Sequence, residues 1–513
     1  MSKLSISAIG LMATTILSKI LGFGRELTLS YFYGTGMYSD AYISALNIPG
    51  VIFACIGVAI STSFIPLYSG IKEKECENKA NLFMNNVLNI VTVIVLVITI
   101  LGIVFSKQIV QVFAIGFTGE KLSITIEFAK ILFLGSIFLE LSNILSSYLQ
   151  IKGNFIIPGI IAIPYNIIIM ISIFLAAKYN NYIIVYGTVF AMIVQVVFQL
   201  PYVYKNGFKY KTYINIKDSH IKEMIFLVAP VFIGVAVNQV NALIDKTLAS
   251  TLSSGSIAAL NYANKLNGFI LALFVMSIAT VIYPLFSKYI SQNNLKEFKE
   301  LINSVINIML VILIPTTVGT MVLSKPIVKI LFERGAFDSY STKVTSIALF
   351  FYSLGIVGFG LREILVRAFY SLKDTKTPML NGVISVILNI ILNLTLIKSM
   401  GISGLALATS ISSIIGVFIL MICLNKKIKF IDYVKISKLT IKVIISSIVM
   451  GIGVNMSYKY LIILLGSGLT SIIASLTISV IIGIIVYFVL IYILRLEEVY
   501  ILIDKIKSRI ANR

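Results

Sequence analysis

The chain has 513 residues, of which 58% are hydrophobic and 12% charged, and its mean hydropathy is +0.99. So little polar surface cannot cover a water-soluble globule of this size, which leaves an all-α polytopic membrane protein. The net charge of +21 gives no case for nucleic acid: Lys205, Lys209, Lys211 and Lys217 fill one loop and Lys426, Lys427, Lys429, Lys435 and Lys438 another, the loop asymmetry that sets membrane topology.

Apolar runs near residues 5–33, 37–68, 82–113, 122–150, 156–177, 182–204, 219–252, 256–287, 297–324, 343–371, 377–397, 402–424, 438–458 and 463–494 predict fourteen transmembrane helices. Many exceed the roughly 20 residues that cross a bilayer, so tilted or bent helices are expected. The first run continues through Lys19, Arg25 and Glu26 without a small-residue cleavage site, which reads as a span and not as a removable signal. Loop charge places both termini in the cytoplasm. The segment 325–342 is expected to be an amphipathic helix lying on the bilayer. Cys55, Cys76 and Cys423 are unspaced for metal and odd in number, so no disulfide or zinc framework follows.

Residues 36–69 return as 254–287. At one constant offset Ala41 meets Ala259, Ala45 meets Ala263, Gly50 meets Gly268, Ala54 meets Ala272, Thr62 meets Thr280 and Pro66 meets Pro284. Small residues set where helices approach and proline sets where one bends, so these matches carry more than coincident leucines would. Six spans per repeat return the chain to its starting side, giving two halves of the same orientation. The expected organisation is a six-helix lobe over 1–217, a second over 218–430, and two further helices with a basic tail over 431–513.

A Lys or Arg at the bilayer centre costs about 2.5–3.5 kcal/mol, which makes each intramembrane charge a functional candidate. Ser18, Gly22 and Arg25 form one stripe of the first span, with Lys19 and Glu26 beside it, placed to face a cavity. Asn238, Asn241 and Asp245 form a stripe on the seventh, and Asn261, Lys265 and Gly268 one on the eighth. Arg362 lies deep in the tenth span. Arg367, nearer its end, is expected to pair with Glu363 one turn away. Lys19, Arg25 and Lys265, in equivalent regions of opposite halves, suit an anion, since guanidinium matches phosphate oxygens in a bidentate fork. Asp245, Asn389, Asn393 and Thr409 are hard oxygen donors that suit a monovalent cation such as Na+, against a simpler role as interhelical glue.

These strings resemble a known family, the MurJ (MviN) lipid II flippases of the multidrug/oligosaccharidyl-lipid/polysaccharide exporter superfamily. The resemblance rests on SKILGFGRE at 18–26, YGTGMYSDAY at 33–42, YANKL at 262–266 before PLFS at 284–287, and RAFYSLKDTKTP at 367–378. It implies two six-helix lobes around a central cavity, two added helices forming a lipid-tail groove, and a substrate, lipid II, carried from inner to outer leaflet for peptidoglycan synthesis. It also places Lys19, Arg25, Glu26, Asp40 and Lys265 at functional charges, two of them Lys where Arg is usual. A pair of arginines after the first-half proline is absent: Pro49 is followed by GVIFA.

The rival readings are a flippase for another polyprenyl-linked glycan and a drug/cation antiporter of the same superfamily, which calls for acidic cavity residues. A membrane glycosyltransferase or phosphatase needs clustered carboxylates or a His nucleophile, whereas the single His, His220, lies at a span edge. Membrane lipids are the expected surroundings, and no protein partner is readable.

Overall fold

The computed structural model describes the backbone of residues 3–429, 432–466 and 468–496, and side chains from Thr14 onward except at 15, 16, 233, 237, 238 and 433. Asn238 of the expected seventh-span stripe therefore lies outside the described side chains. The helices are α1 Lys3–Tyr33, α2 Met37–Lys74, α3 Glu77–Val104, α4 Ser106–Phe113, α5 Gly119–Ile151, α6 Ile156–Ile160, α7 Ala162–Lys178, α8 Ile183–Lys205, α9 Ser219–Ala249 and α10 Ser256–Leu271. They continue as α11 Ser277–Ser291, α12 Leu295–Val322, α13 Ser324–Phe332, α14 Ser339–Ser353, α15 Ile356–Ser371, α16 Lys376–Met400, α17 Ile402–Ile428, α18 Tyr433–Leu465 and α19 Leu469–Ile493. Residues 272–276 form a π-helical turn that joins α10 to α11.

Among the described residues twelve helices are long and apolar enough to cross a membrane, or thirteen when α14 and α15, bent by 45°, count as one span. The repeat extends well beyond the strings that first show it. Shifted by the same offset, α3 falls on α12 end for end, and the short α4 falls on α13.

Several expected segments are subdivided, among them 156–177 into α6 and α7 and 343–371 into α14 and α15. The run to residue 113 breaks after Val104 and restarts as the eight-residue α4, with Ser106 and Val110 buried. The segment expected as a single interfacial helix over 325–342 is helical over Ser324–Phe332 and again from Ser339, where α14 begins; Gly335, at φ +60°, lies in the turn between them. Apolarity continues through the break at Val104, so a hydropathy window passes over it, whereas the break at 333–338 falls on the polar string ERGAFD.

By packing the chain forms two compact units, Met1–Ala258 with Arg334–Asp338, and Ala259–Glu333 with Ser339–Arg513. The repeat boundary near 217 and the boundary of the first unit thus differ, because α9 runs along α2 and packs with it. In the first unit Phe64 stacks on Phe83 at 5.9 Å between ring centroids, and Tyr68 meets Tyr148 edge-on at 5.7 Å. In the second, α18 lies on α12, and Tyr487 of α19 donates to the Val311 carbonyl at 2.7 Å. The last two helices therefore belong to the second unit's core, which also takes in Phe286, Phe298, Val443 and Ile491. Elsewhere the helices present apolar side chains outward, as Phe226, Ile463 and Val112 do. That pattern suits a hydrocarbon solvent, in which polar groups turn inward to find partners and apolar side chains face outward.

Candidate functional site

Helix α1 packs on α6 and α7. A Cβ on Gly22 would stand 4.0 Å from Asn166 Oδ1 and one on Gly24 3.7 Å from Met170 Sδ, ordinary contact distances, so this face of α1 looks onto α7. The stripe expected to face a cavity is partly consumed by this contact: Ser18 Oγ donates to the Gly159 carbonyl at 2.9 Å. Arg25 Nη2 donates to Glu26 Oε1 at 2.8 Å, Glu26 is buried, and Tyr42 and Tyr165 lie beside the guanidinium. The adjacent pair satisfies both charges where water cannot. Lys19 differs, being exposed and, among the described residues, in no ion pair.

Asp40, in the first turn of α2, is 1% exposed and fully engaged. Oδ2 accepts from Lys121 Nζ at 2.6 Å and from Gly255 N at 2.7 Å, while Oδ1 accepts from Ala258 N at 2.8 Å. The two amides open α10, so the carboxylate caps that helix and meets the positive end of its dipole. Ala258 is the residue that the repeat places opposite Asp40: the start of one copy's helix holds the start of the other's. Gly255 makes the approach possible. Its φ is +91°, and a Cβ there would lie 2.1 Å from the Thr35 carbonyl oxygen. The same end receives residues 334–338 through Ala336 N, which donates to the Tyr31 carbonyl at 2.8 Å. Lys121, Gly255 and Ala258 were missed by sequence reasoning, although the repeat offset already singles out Ala258.

In the second unit Lys265 projects from α10 exposed, one turn beyond the half-buried Asn261 and beside the buried Tyr262, whose ring lies 5.3 Å from Phe332. Arg362 of α15 is half-buried against bare backbone, with Nη2 3.4 Å from where a Cβ on Gly382 would sit. Arg367 pairs with Glu363 at 3.7 Å, as the spacing predicts. Asn393 Nδ2 donates to Asn389 Oδ1 at 2.8 Å, and Asn389 Nδ2 donates to Thr409 Oγ1 at 3.2 Å, both asparagines being fully buried. This amide chain ties α16 to α17. Asp245, the carboxylate of the expected cation set, belongs to the first unit. Asn389, Asn393 and Thr409, all of the second unit, carry hard oxygens of the kind that a monovalent cation takes.

Within RAFYSLKDTKTP, Asp374 accepts from Thr377 N at 3.0 Å and Thr377 Oγ1 at 2.6 Å, and pairs with Lys427. Partial burial pushes the Asp374 carboxyl up, but the bonds from Lys427 and Thr377 outweigh it and hold the group at about 2. Because the folded value is depressed, the stabilisation is present above the ordinary carboxylate value of about 4 and disappears as pH falls from there toward about 2. Thermal unfolding of detergent-solubilised protein is expected to show Asp374→Asn less stable than the wild type at pH 7, with the gap closing below about pH 4. A gap constant down to pH 2 contradicts this assignment.

A nearly all-helical chain of apolar spans, built on one repeated half and carrying cations within those spans, defines a polytopic membrane transporter. A family model described as lipid II flippase MurJ matches residues 29–473. The probable lipid II flippase MurJ of Buchnera aphidicola subsp. Baizongia pistaciae (strain Bp) is 31% identical over 452 residues, 86% of this chain and 88% of that protein. The Vibrio cholerae serotype O1 counterpart is 28% identical over 427 residues, 81% of each chain. A solved lipid II flippase MurJ in an inward closed conformation superposes with a TM-score of 0.82 at 30% identity, over 95% of this chain and 98% of that one. An inward-facing MATE family transporter of the MOP superfamily, with a TM-score of 0.66 at 15% identity over 82% of this chain and 98% of that one, shares the fold. The chain belongs to the MurJ family of lipid II flippases.

Proposed function

We propose that this chain carries lipid II from the inner to the outer leaflet of the bacterial cytoplasmic membrane by alternating access. The observation that carries the reading is the end-to-end likeness to a lipid II flippase, 95% of this chain against 98% of that one. The chemistry of the residues supports it. Lys19 on α1 and Lys265 on α10 are exposed cations set in apolar helices, and an anionic headgroup offsets the cost of keeping them there. Pyrophosphate is such a headgroup, and charge-assisted bonds to its oxygens are of the strong kind. Arg25, Glu26 and Ser18 shape the same stretch of α1, and Arg362 adds a further cation in the second unit. The prenyl tail stays in lipid, with 431–513 as its groove. Depletion of the host's own flippase and complementation with this chain, scored by lipid II reaching the outer leaflet, tests the reading.

Both termini are assigned to the cytoplasm on loop charge. Cysteines placed one at a time in residues 205–217 should resist a membrane-impermeant reagent in intact cells and react after permeabilisation; labelling in intact cells inverts the topology. Na+ at Asp245, Asn389, Asn393 and Thr409 is the companion proposal. It would bias one conformation only by its differential affinity for the two states. Transport equal with and without Na+, in wild type and in Asp245→Ala alike, refutes it.

A further inference from the structure

The segment that joins α8 to α9 has no regular secondary structure, yet its backbone is held in place by three asparagines of α3. Asn85 Nδ2 donates to Lys209 O at 3.0 Å, and its Oδ1 accepts from Lys211 N at 2.7 Å. Asn86 does the same to one residue, donating to Asn215 O at 2.9 Å and accepting from Asn215 N at 2.8 Å. Asn89 Nδ2 reaches Lys211 O at 2.9 Å and Tyr213 O at 3.1 Å, and its Oδ1 takes the Tyr210 hydroxyl at 2.8 Å. All three asparagines are buried.

Phe208 anchors the segment inward, buried against Tyr148, while its lysines and isoleucines face outward. Lys205, Lys209, Lys211 and Lys217 are exposed and, among the described residues, in no ion pair. Tyr204, Tyr210, Ile214 and Ile216 are exposed among them, Ile216 at 66%. Both neighbours are spanning helices, so the segment lies at the bilayer surface. Lysines over headgroups and aliphatic or tyrosyl side chains below them are the two halves of an interfacial binding motif.

We infer that residues 205–217 form a preorganised binding surface for anionic phospholipid headgroups. A loop that serves only as a topological signal needs charge and no order. Here three buried amides are committed to order, which removes the entropy that a loose basic loop loses when it meets a surface. Four lysines without carboxylate partners supply the charge complementarity, and each near an anionic leaflet is worth roughly a five-fold enrichment.

The chain has no tryptophan, so Ile216→Trp introduces a single reporter. The full-length protein is placed in nanodiscs of phosphatidylcholine and phosphatidylglycerol, with a nitroxide near the glycerol end of one lipid or the other at equal mole fraction. Labelled phosphatidylglycerol is expected to quench at least about two-fold more than labelled phosphatidylcholine at low salt, falling toward equality near 1 M, where screening extends only about 3 Å. The preference should vanish with Lys205, Lys209, Lys211 and Lys217 all changed to Gln. It should fall by more than about half in Asn85→Ala/Asn89→Ala, where charge is kept and order is lost. Equal quenching by the two lipids, or a preference that survives the four glutamines, overturns the inference. A preference intact in a well-folded asparagine double variant overturns the role given to the clamp. The lysine variant changes only exposed side chains, so it decides the matter even if the asparagine variant does not fold.

Discussion

Lys265→Ala is expected to abolish lipid II translocation while the protein stays as stable as the wild type, whereas Arg25→Ala loses both. The difference follows from where the two cations sit. Lys265 is exposed on α10, so its removal costs no packing and takes away one charged contact to the headgroup. Arg25 is the partner of a buried Glu26, and truncation breaks that ion pair away from water, a loss of about 3–5 kcal/mol for a buried pair. Lys265→Arg keeps the charge and adds the planar fork, so it should be tolerated or improve transport. Arg25→Lys should retain part of both properties. Complementation at matched membrane abundance, with unfolding followed in detergent, separates the cases. Normal growth on Lys265→Ala would remove that lysine from the substrate's path.

Asp40→Ala should be among the most destabilising single changes in the first unit. Its two oxygens hold one ammonium and two backbone amides, all away from water. A hydrogen bond to a charged group is worth about 1.5–3 kcal/mol, and Lys121, with only 15% of its side chain exposed, is left alone with the ring of Phe117. A loss of at least about 3 kcal/mol follows. Asp40→Asn keeps one acceptor and should fall between. Lys121→Met in the Asp40→Ala background should recover part of the loss, because the stranded charge is gone, and the cycle of four proteins measures the coupling. Unfolding temperatures unchanged by Asp40→Ala would show that these contacts do not hold the two helix starts.

Much of the architecture was legible because hydropathy and small-residue spacing report directly on bilayer transfer and helix approach. Gly50 and Gly268, or Pro66 and Pro284, already announce the duplication that α3 and α12 display end for end. The break at Val104 was not legible, since an apolar run does not say where its hydrogen-bond ladder is interrupted. The one before Gly335 falls on the polar string ERGAFD, where a turn signal was present and passed over. The fate of the polar residues was harder still. Arg25 and Glu26 are neighbours in sequence, and nothing in the spacing shows that they satisfy each other. Asp40 reads as a functional charge by its motif, while the structure gives it Lys121 and the start of α10. The asparagines of α3 carried no signal at all: a buried amide that recognises a distant backbone leaves no pattern in the sequence of that backbone.

Lipid II exposed at the cell surface is the direct measure of the central claim. In a host stripped of its own flippase, the wild-type chain should restore the outward pool and growth, and Lys265→Ala, equally abundant in the membrane, should leave lipid II inside. An inner-leaflet pool that persists despite well-inserted wild-type protein would contradict the assignment of lipid II as its substrate.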